Sequence, residues 1–230
     1  PRISADGRHV SFTSNDTNLV AGDSNGRADI FVKNLDSGAT TRASTTSMGA
    51  ESPADCNFSA ISANGDFIVF STNAATLVAG DGNAANDIFR KNTSTGELQL
   101  VSSTQNGDEG NSDSTVAVIS DDGDRVAFRS SASNFVAGDA NGVNDVYVKT
   151  VSTGAVARAS AAADGAGPTV ASVEPAISGD GKLVGFSSGA STLVGGDTNG
   201  AVDSFVKNVD NGSILRARIN TAGTDRKSVV

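Results

Sequence analysis

Apolar residues alternate with polar ones in a short run where Val10 and Phe12 share one face, and the run returns as Ile68 and Phe70, Val126 and Phe128, Val184 and Phe186. A period of two over a few residues predicts a half-buried strand. A second apolar run follows each time: Ile30-Phe31-Val32, Ile88-Phe89, Val146-Tyr147-Val148 and Phe205-Val206. Turns at Gly38, Gly96, Gly154 and Gly212 lead to a third strand, placed in the first copy at Thr40–Ser44. Residues such as Asn57–Ile61 supply a fourth, which enters an Asp-Gly or Asn-Gly turn where glycine provides the positive φ. Nothing carries helical periodicity beyond one turn.

The run Ile3-Ser4-Ala5-Asp6-Gly7 recurs from Ile61, Ile119 and Ile177, always 58 residues on, with no insertion or deletion. Internal repetition of this length marks a stacked or radial architecture. Four sequential strands per unit is the blade pattern of a β-propeller. The chain is therefore expected to be all-β: one propeller domain over residues 1–230, in four 58-residue, four-stranded blades at approximately 1–58, 59–116, 117–174 and 175–230. Seven of the ten Phe, with Tyr147, fall in two repeat columns and are expected to fill the space between blades.

The Ile-Ser-x-Asp-Gly-x-x-Val-x-Phe segment, followed by a strand and a Thr-Gly turn, resembles the TolB-type, WD-repeat-like β-propeller repeat across all four units. The resemblance implies that the strand ending in Ser-x-Asp-Gly is innermost, that domains hold six or more blades, and that the protein works by protein–protein contact. Two departures stand out. There are four units, and each exceeds the ~40–45 residues of an ordinary blade. The four blades close a ring or belong to a larger propeller. Closure would pair Val229-Val230 beside Pro1–Ile3.

Bulk composition narrows the function. A net charge of −9 and a pI near 4.5 argue against nucleic acid. No apolar run approaches the ~18 residues of a membrane span. One cysteine, Cys56, excludes an intrachain disulfide. Richness in Asn, Asp, Gly, Ser and Thr fits an exported protein, periplasmic or extracellular. A first residue of Pro1 is read as a processed product or part of a longer chain.

The extra length of each unit sits in the connection Ser14–Ala28 and its equivalents, and there the chemistry concentrates. Each holds Asp-x-Asn-x-x-x-Asp: Asp23, Asn25 and Asp29; Asp81, Asn83 and Asp87; Asp139, Asn141 and Asp145; Asp197, Asn199 and Asp203. Oxygen side chains at alternating positions beside a sharp Gly turn can converge on Ca²⁺. The motif is similar to the later part of the calcium loops in integrin-type propeller blades. Those loops carry another acidic residue two positions earlier, where this chain has Ala21, Ala79, Ala137 and Gly195. Binding would thus be weak, on the order of 10⁻⁴–10⁻³ M. The alternative is plain turn chemistry, since Asp and Asn cap turns through their own backbone. The second loop, with Ala84 where the others have glycine, is expected to be the weakest site.

Catalytic constellations fail at this level. Gly185-Phe186-Ser187-Ser188-Gly189 matches G-x-S-x-G but lies in a strand column, and the single histidine, His9, leaves no base. His9 is expected to face solvent, Cys56 to be a small strand residue, and Lys33, Lys91, Lys149 and Lys207 to point outward at a strand end. Departures from the repeat are mild: Glu51, Glu97, Glu109, Arg129, Glu174 and the basic pair Arg226-Lys227. The expectation is a non-catalytic exported binding or structural module with protein partners, self-association included, and calcium in the inserted loops. The rivals are a polysaccharide lyase or hydrolase on a propeller scaffold, and a repeat-symmetric lectin.

Overall fold

Among the described residues, sixteen strands form four separate antiparallel sheets, each built from consecutive strands in simple up-and-down order. The computed structural model describes residues 1–198 and 200–217. The first blade holds β1 (Arg2–Ile3), β2 (His9–Ser14), β3 (Asp29–Asn34) and β4 (Thr40–Arg42). The second holds β5 (Asn57–Ile61), β6 (Phe67–Thr72), β7 (Asp87–Asn92) and β8 (Leu98–Leu100). The third holds β9 (Ser114–Ile119), β10 (Arg125–Ser130), β11 (Asp145–Thr150) and β12 (Val156–Arg158), and the fourth β13 (Ser172–Ile177), β14 (Leu183–Ser188), β15 (Asp203–Asn208) and β16 (Ile214–Arg216). Strands stand where period-2 alternation places them, and the expected turn glycines Gly7, Gly65, Gly123 and Gly181 take φ between 72° and 81°.

The aromatic columns are cross-strand pairs. Phe12 faces Phe31, Phe70 faces Phe89, Phe128 faces Tyr147 and Phe186 faces Phe205, each stacked with centroids 5.6–6.0 Å apart. Such stacking adds to burial in fixing the register.

Neighbouring blades pack face to face, β5 against β2, β9 against β6 and β13 against β10. Each junction encloses an apolar core: Ile30 and Val32 with Ile68 and Phe70, then Val69 and Ile88 with Val126 and Phe128, then Val146 and Val148 with Val184 and Phe186. Four blades thus share three cores among the described residues. The pairing expected of Val229-Val230 lies outside those residues.

Polar contacts repeat at every junction. Asp6 N–H donates to Ala63 O at 3.0 Å, Ala63 N–H to Asp121 O at 3.1 Å and Asp121 N–H to Gly179 O at 2.9 Å. The lysine column does not point outward. Lys91 donates to the Thr45 and Thr46 carbonyls at 3.0 and 2.8 Å, Lys149 to those of Ser103 and Thr104 at 3.1 and 2.9 Å, and Lys207 to those of Ala161 and Ala162 at 2.9 and 3.1 Å. All three are buried, and burial lowers their pKa. The solvent-facing expectation fails because a strand end that looks terminal within one unit abuts the previous blade. Lys33 reaches only Gly38 O of its own turn.

Candidate functional site

The last Asp of each inserted loop (Asp29, Asp87, Asp145 and Asp203) opens the third strand of its blade. Those four carboxylates are fully buried. A serine from the outer side of the blade donates to three of them: Ser44 to Asp29, Ser102 to Asp87 at 2.5 Å and Ser160 to Asp145 at 2.6 Å. The asparagines make the expected turns: Asn25 Oδ1 accepts from Arg27 N–H at 2.9 Å, Asn83 Oδ1 from Ala85 N–H at 2.6 Å and Asn141 Oδ1 from Val143 N–H at 3.1 Å. Asn199 lies outside the described residues.

In three blades the space between the paired aspartates holds an arginine. Arg42 Nη1 stands 3.0 Å from Asp23 and 3.6 Å from Asp29; Arg158 Nη1 stands 3.1 Å from Asp139 and 3.7 Å from Asp145; Arg216 Nη1 stands 3.1 Å from Asp197 and 3.6 Å from Asp203. All six carboxylates and all three guanidinium groups are buried. A guanidinium offers planar donors to two acceptors at once, which suits such a pair. These arginines end the outermost strand of each blade, and sequence reasoning missed them. The available signal was a column of Arg42, Arg158 and Arg216 interrupted by Leu100.

The first blade adds Glu51, whose Oε1 lies 2.6 Å from Arg42. Its carboxylate also accepts the Ser24 amide at 2.7 Å and the Ser24 hydroxyl at 2.8 Å. The amide, the hydroxyl and then the guanidinium hold this carboxyl down at about 2. In the third blade Gly167 replaces it, and the Arg158 guanidinium packs directly over that glycine. Glu51 and Glu109, read as mild departures from the repeat, thus belong to the loop clusters.

The second blade differs. Leu100 stands where the others have arginine, so among the described residues Asp81 and Asp87 lie near each other and Glu109 without a cationic side chain between them. Burial and then Glu109 push Asp81 up to about 6. Burial, followed by the charges of Asp81, Glu109 and Asp113, pushes Asp87 up to about 7 against the Ser102 hydrogen bond. Among the described residues, no three His, Cys, Asp or Glu side chains form a ready-made metal cage.

A second distinctive region lies on the inner strands. Phe58, Val116 and Glu174 occupy one repeat column and adopt φ of 52°, 51° and 56°. Each sits where the inner strand slips register against its neighbour, a β-bulge. Positive φ is costly for bulky and β-branched side chains, and its retention at three equivalent positions is a pointer to function. The three residues line a cavity of about 250 Å³ with Arg2 and Pro175. Phe58 is 58% exposed, and Ser187, the serine of the G-x-S-x-G match, donates to Glu174 at 3.1 Å.

His9 does not face solvent as expected. Its ring lies against Gly65 of the next blade, and Nε2 lies 3.0 Å from Asn34 Nδ2. Cys56 is a buried small residue, its thiol pushed up to about 11 by desolvation.

Four up-and-down blades packed face to face define a β-propeller scaffold. Comparison with solved structures agrees: the chain resembles TolB from Acinetobacter baumannii (TM-score 0.54, 16% identity, covering 94% of this chain and 42% of that one). It also resembles the β-propeller domain of the trilobed protease of Pyrococcus furiosus, which has an open velcro topology (TM-score 0.55, 10% identity, 94% and 55%). A third neighbour is oligogalacturonate lyase from Vibrio parahaemolyticus (TM-score 0.51, 14% identity, 93% and 50%). The fold is that of a TolB-like β-propeller. The chain spans about half the length of these neighbours. No family model matches the sequence, and no curated protein does. No helix among the described residues is long and apolar enough to cross a membrane.

Proposed function

We propose that this chain is a non-catalytic, exported β-propeller module that works through protein–protein contact, made by the outer flanks of its first and fourth blades. The same scaffold carries a lyase and part of a protease, so fold alone leaves activity open. The non-catalytic reading rests on the constancy of the repeat and its single histidine. Export rests on the acidic composition rich in small polar residues.

Flank geometry carries the contact. At each internal junction a side chain of one blade covers the turn glycine of the next: His9 on Gly65, Phe67 on Gly123, Arg125 on Gly181. The next residue in that column, Leu183, is 42% exposed, and Gly7 has open space above its Cα. Lys33 binds the Gly38 carbonyl of its own turn, where its counterparts bind carbonyls of the preceding blade. Since every blade carries the same pattern, the flank of the first blade has the shape that fits the flank of the fourth. A blade of the same pattern is what either flank fits, and a second copy docked head to tail, a heterologous contact, supplies one.

Light scattering on the 230-residue chain over a concentration series tests this. The expected result is a species heavier than the 23.0 kDa monomer that reverts to monomer in Leu183→Glu, an exposed and tolerant position. A monomer at every concentration, or an assembly indifferent to the substitution, refutes the flank contact.

A further inference from the structure

We infer that the second blade holds a Ca²⁺ ion between Asp81 and Asp87, in the place that an arginine guanidinium takes in the other three blades. The inference is independent of the flank contact.

Three of the four loops already contain their cation. A guanidinium sits between each aspartate pair at 3.0–3.7 Å, filling the place a metal ion would need and offsetting one of the two negative charges. The second loop keeps both aspartates and replaces the arginine with Leu100, which cannot offer charge or hydrogen bonds. Asp81 is 6% exposed and Asp87 0%, and among the described residues neither Asp81 Oδ1 nor Asp87 Oδ2 has a hydrogen-bond partner.

The local amide also gives Asp87 no hydrogen bond. Asn25, Asn83 and Asn141 all donate to an equivalent carbonyl (Ser52, Gly110 and Pro168) at 3.1, 2.9 and 2.9 Å, but only Asn25 and Asn141 also donate to their aspartates, at 2.9 and 2.7 Å. Glu109 adds a third negative charge, fixed by the Gly82 and Asn83 amides at 2.7 and 3.3 Å. Buried carboxylates without a counter-charge must take a proton or a cation.

The donors are all hard oxygen, which selects Ca²⁺ or Mg²⁺ over transition metals. Mg²⁺ demands near-ideal octahedral geometry, whereas Ca²⁺ accepts irregular shells completed by carbonyls and water. Two aspartates with Glu109 alongside, and no complete cage of side chains, fit a weak site on the order of 10⁻⁴–10⁻³ M. The loop without its turn glycine thus becomes the candidate, against the expectation from sequence, because Leu100 matters more than Ala84.

The test is calorimetric titration and thermal unfolding of the 230-residue chain at neutral pH, in chelator, in 10 mM CaCl₂ and in 10 mM MgCl₂. One Ca²⁺ per chain and a midpoint rise of roughly 3–10 °C are expected, with a smaller rise in Mg²⁺. Leu100→Arg should lose the response and melt higher than the natural chain in chelator. Asp81→Asn, which removes a ligand without adding bulk, should lose it too. No Ca²⁺ response in the natural chain, a response retained in both variants, four equivalent sites, or an equal Mg²⁺ shift would each overturn the assignment.

Discussion

The ring of His9 occupies the space above Gly65, so that a Cβ added to that glycine would lie 2.4 Å from His9 Nδ1. The same arrangement places Phe67 over Gly123, where a Cβ would meet the ring at 2.2 Å, and Arg125 over Gly181 at 2.7 Å. A turn glycine is therefore needed twice, for its positive φ and for the room its missing side chain leaves to the next blade.

Gly123→Ala should consequently be much worse than Gly7→Ala. Both force alanine into a left-handed conformation, which costs about 1–2 kcal/mol. Only the first also drives a methyl into a packed ring, raising the total to roughly 2–4 kcal/mol. Denaturant unfolding of the two variants measures the difference, and equal losses would show that the junction relaxes around the methyl.

The lysine column offers a parallel comparison. Lys149→Met removes a buried ammonium and strands the carbonyls of Ser103 and Thr104, for an expected loss of about 1.5–3 kcal/mol. Lys33→Met touches no other blade and should stay within about 0.5 kcal/mol. Urea midpoints decide between this pattern and a uniform surface role.

Arg158→Met leaves Asp139 and Asp145 buried without their counter-charge, and should cost about 3–5 kcal/mol. Adding Asp139→Asn to it should return part of that loss, because a neutral amide no longer needs the guanidinium. Additive losses in the double variant would mean that the arginine acts through packing alone.

Glu51 supplies a pH dependence with a definite sign. Its folded carboxyl sits at about 2 against an ordinary value of 4.5, so the folded state binds fewer protons in between. Its contribution is present above 4.5 and is lost as the pH falls towards 2. Melting curves of the natural chain and Glu51→Gln should therefore converge through that window. A constant separation would assign the effect to the hydrogen bonds of Ser24 alone.

Phe58→Gly should be neutral or stabilising by up to about 1 kcal/mol, since glycine accepts the φ of 52° freely and the exposed ring contributes little packing. A loss of several degrees in melting temperature would instead assign the ring a structural role.

Strand positions, blade count and the aromatic columns follow from the chain alone, because period-2 alternation and a 58-residue spacing are local properties of a sequence. The meeting of Asp23, Asn25 and Asp29 was equally legible, since seven residues of one loop span little distance. The residues that meet across a junction were not. Lys91 and the Thr45 carbonyl stand 46 residues apart, and their meeting depends on how one sheet rests on the next. The same holds for Arg42, which reaches its aspartates from the far edge of the sheet, and for Leu100, whose meaning appears only once the other three arginines are seen between their carboxylates. Pattern along a strand fixes which face is buried; only packing between blades decides which charge is left without an answer.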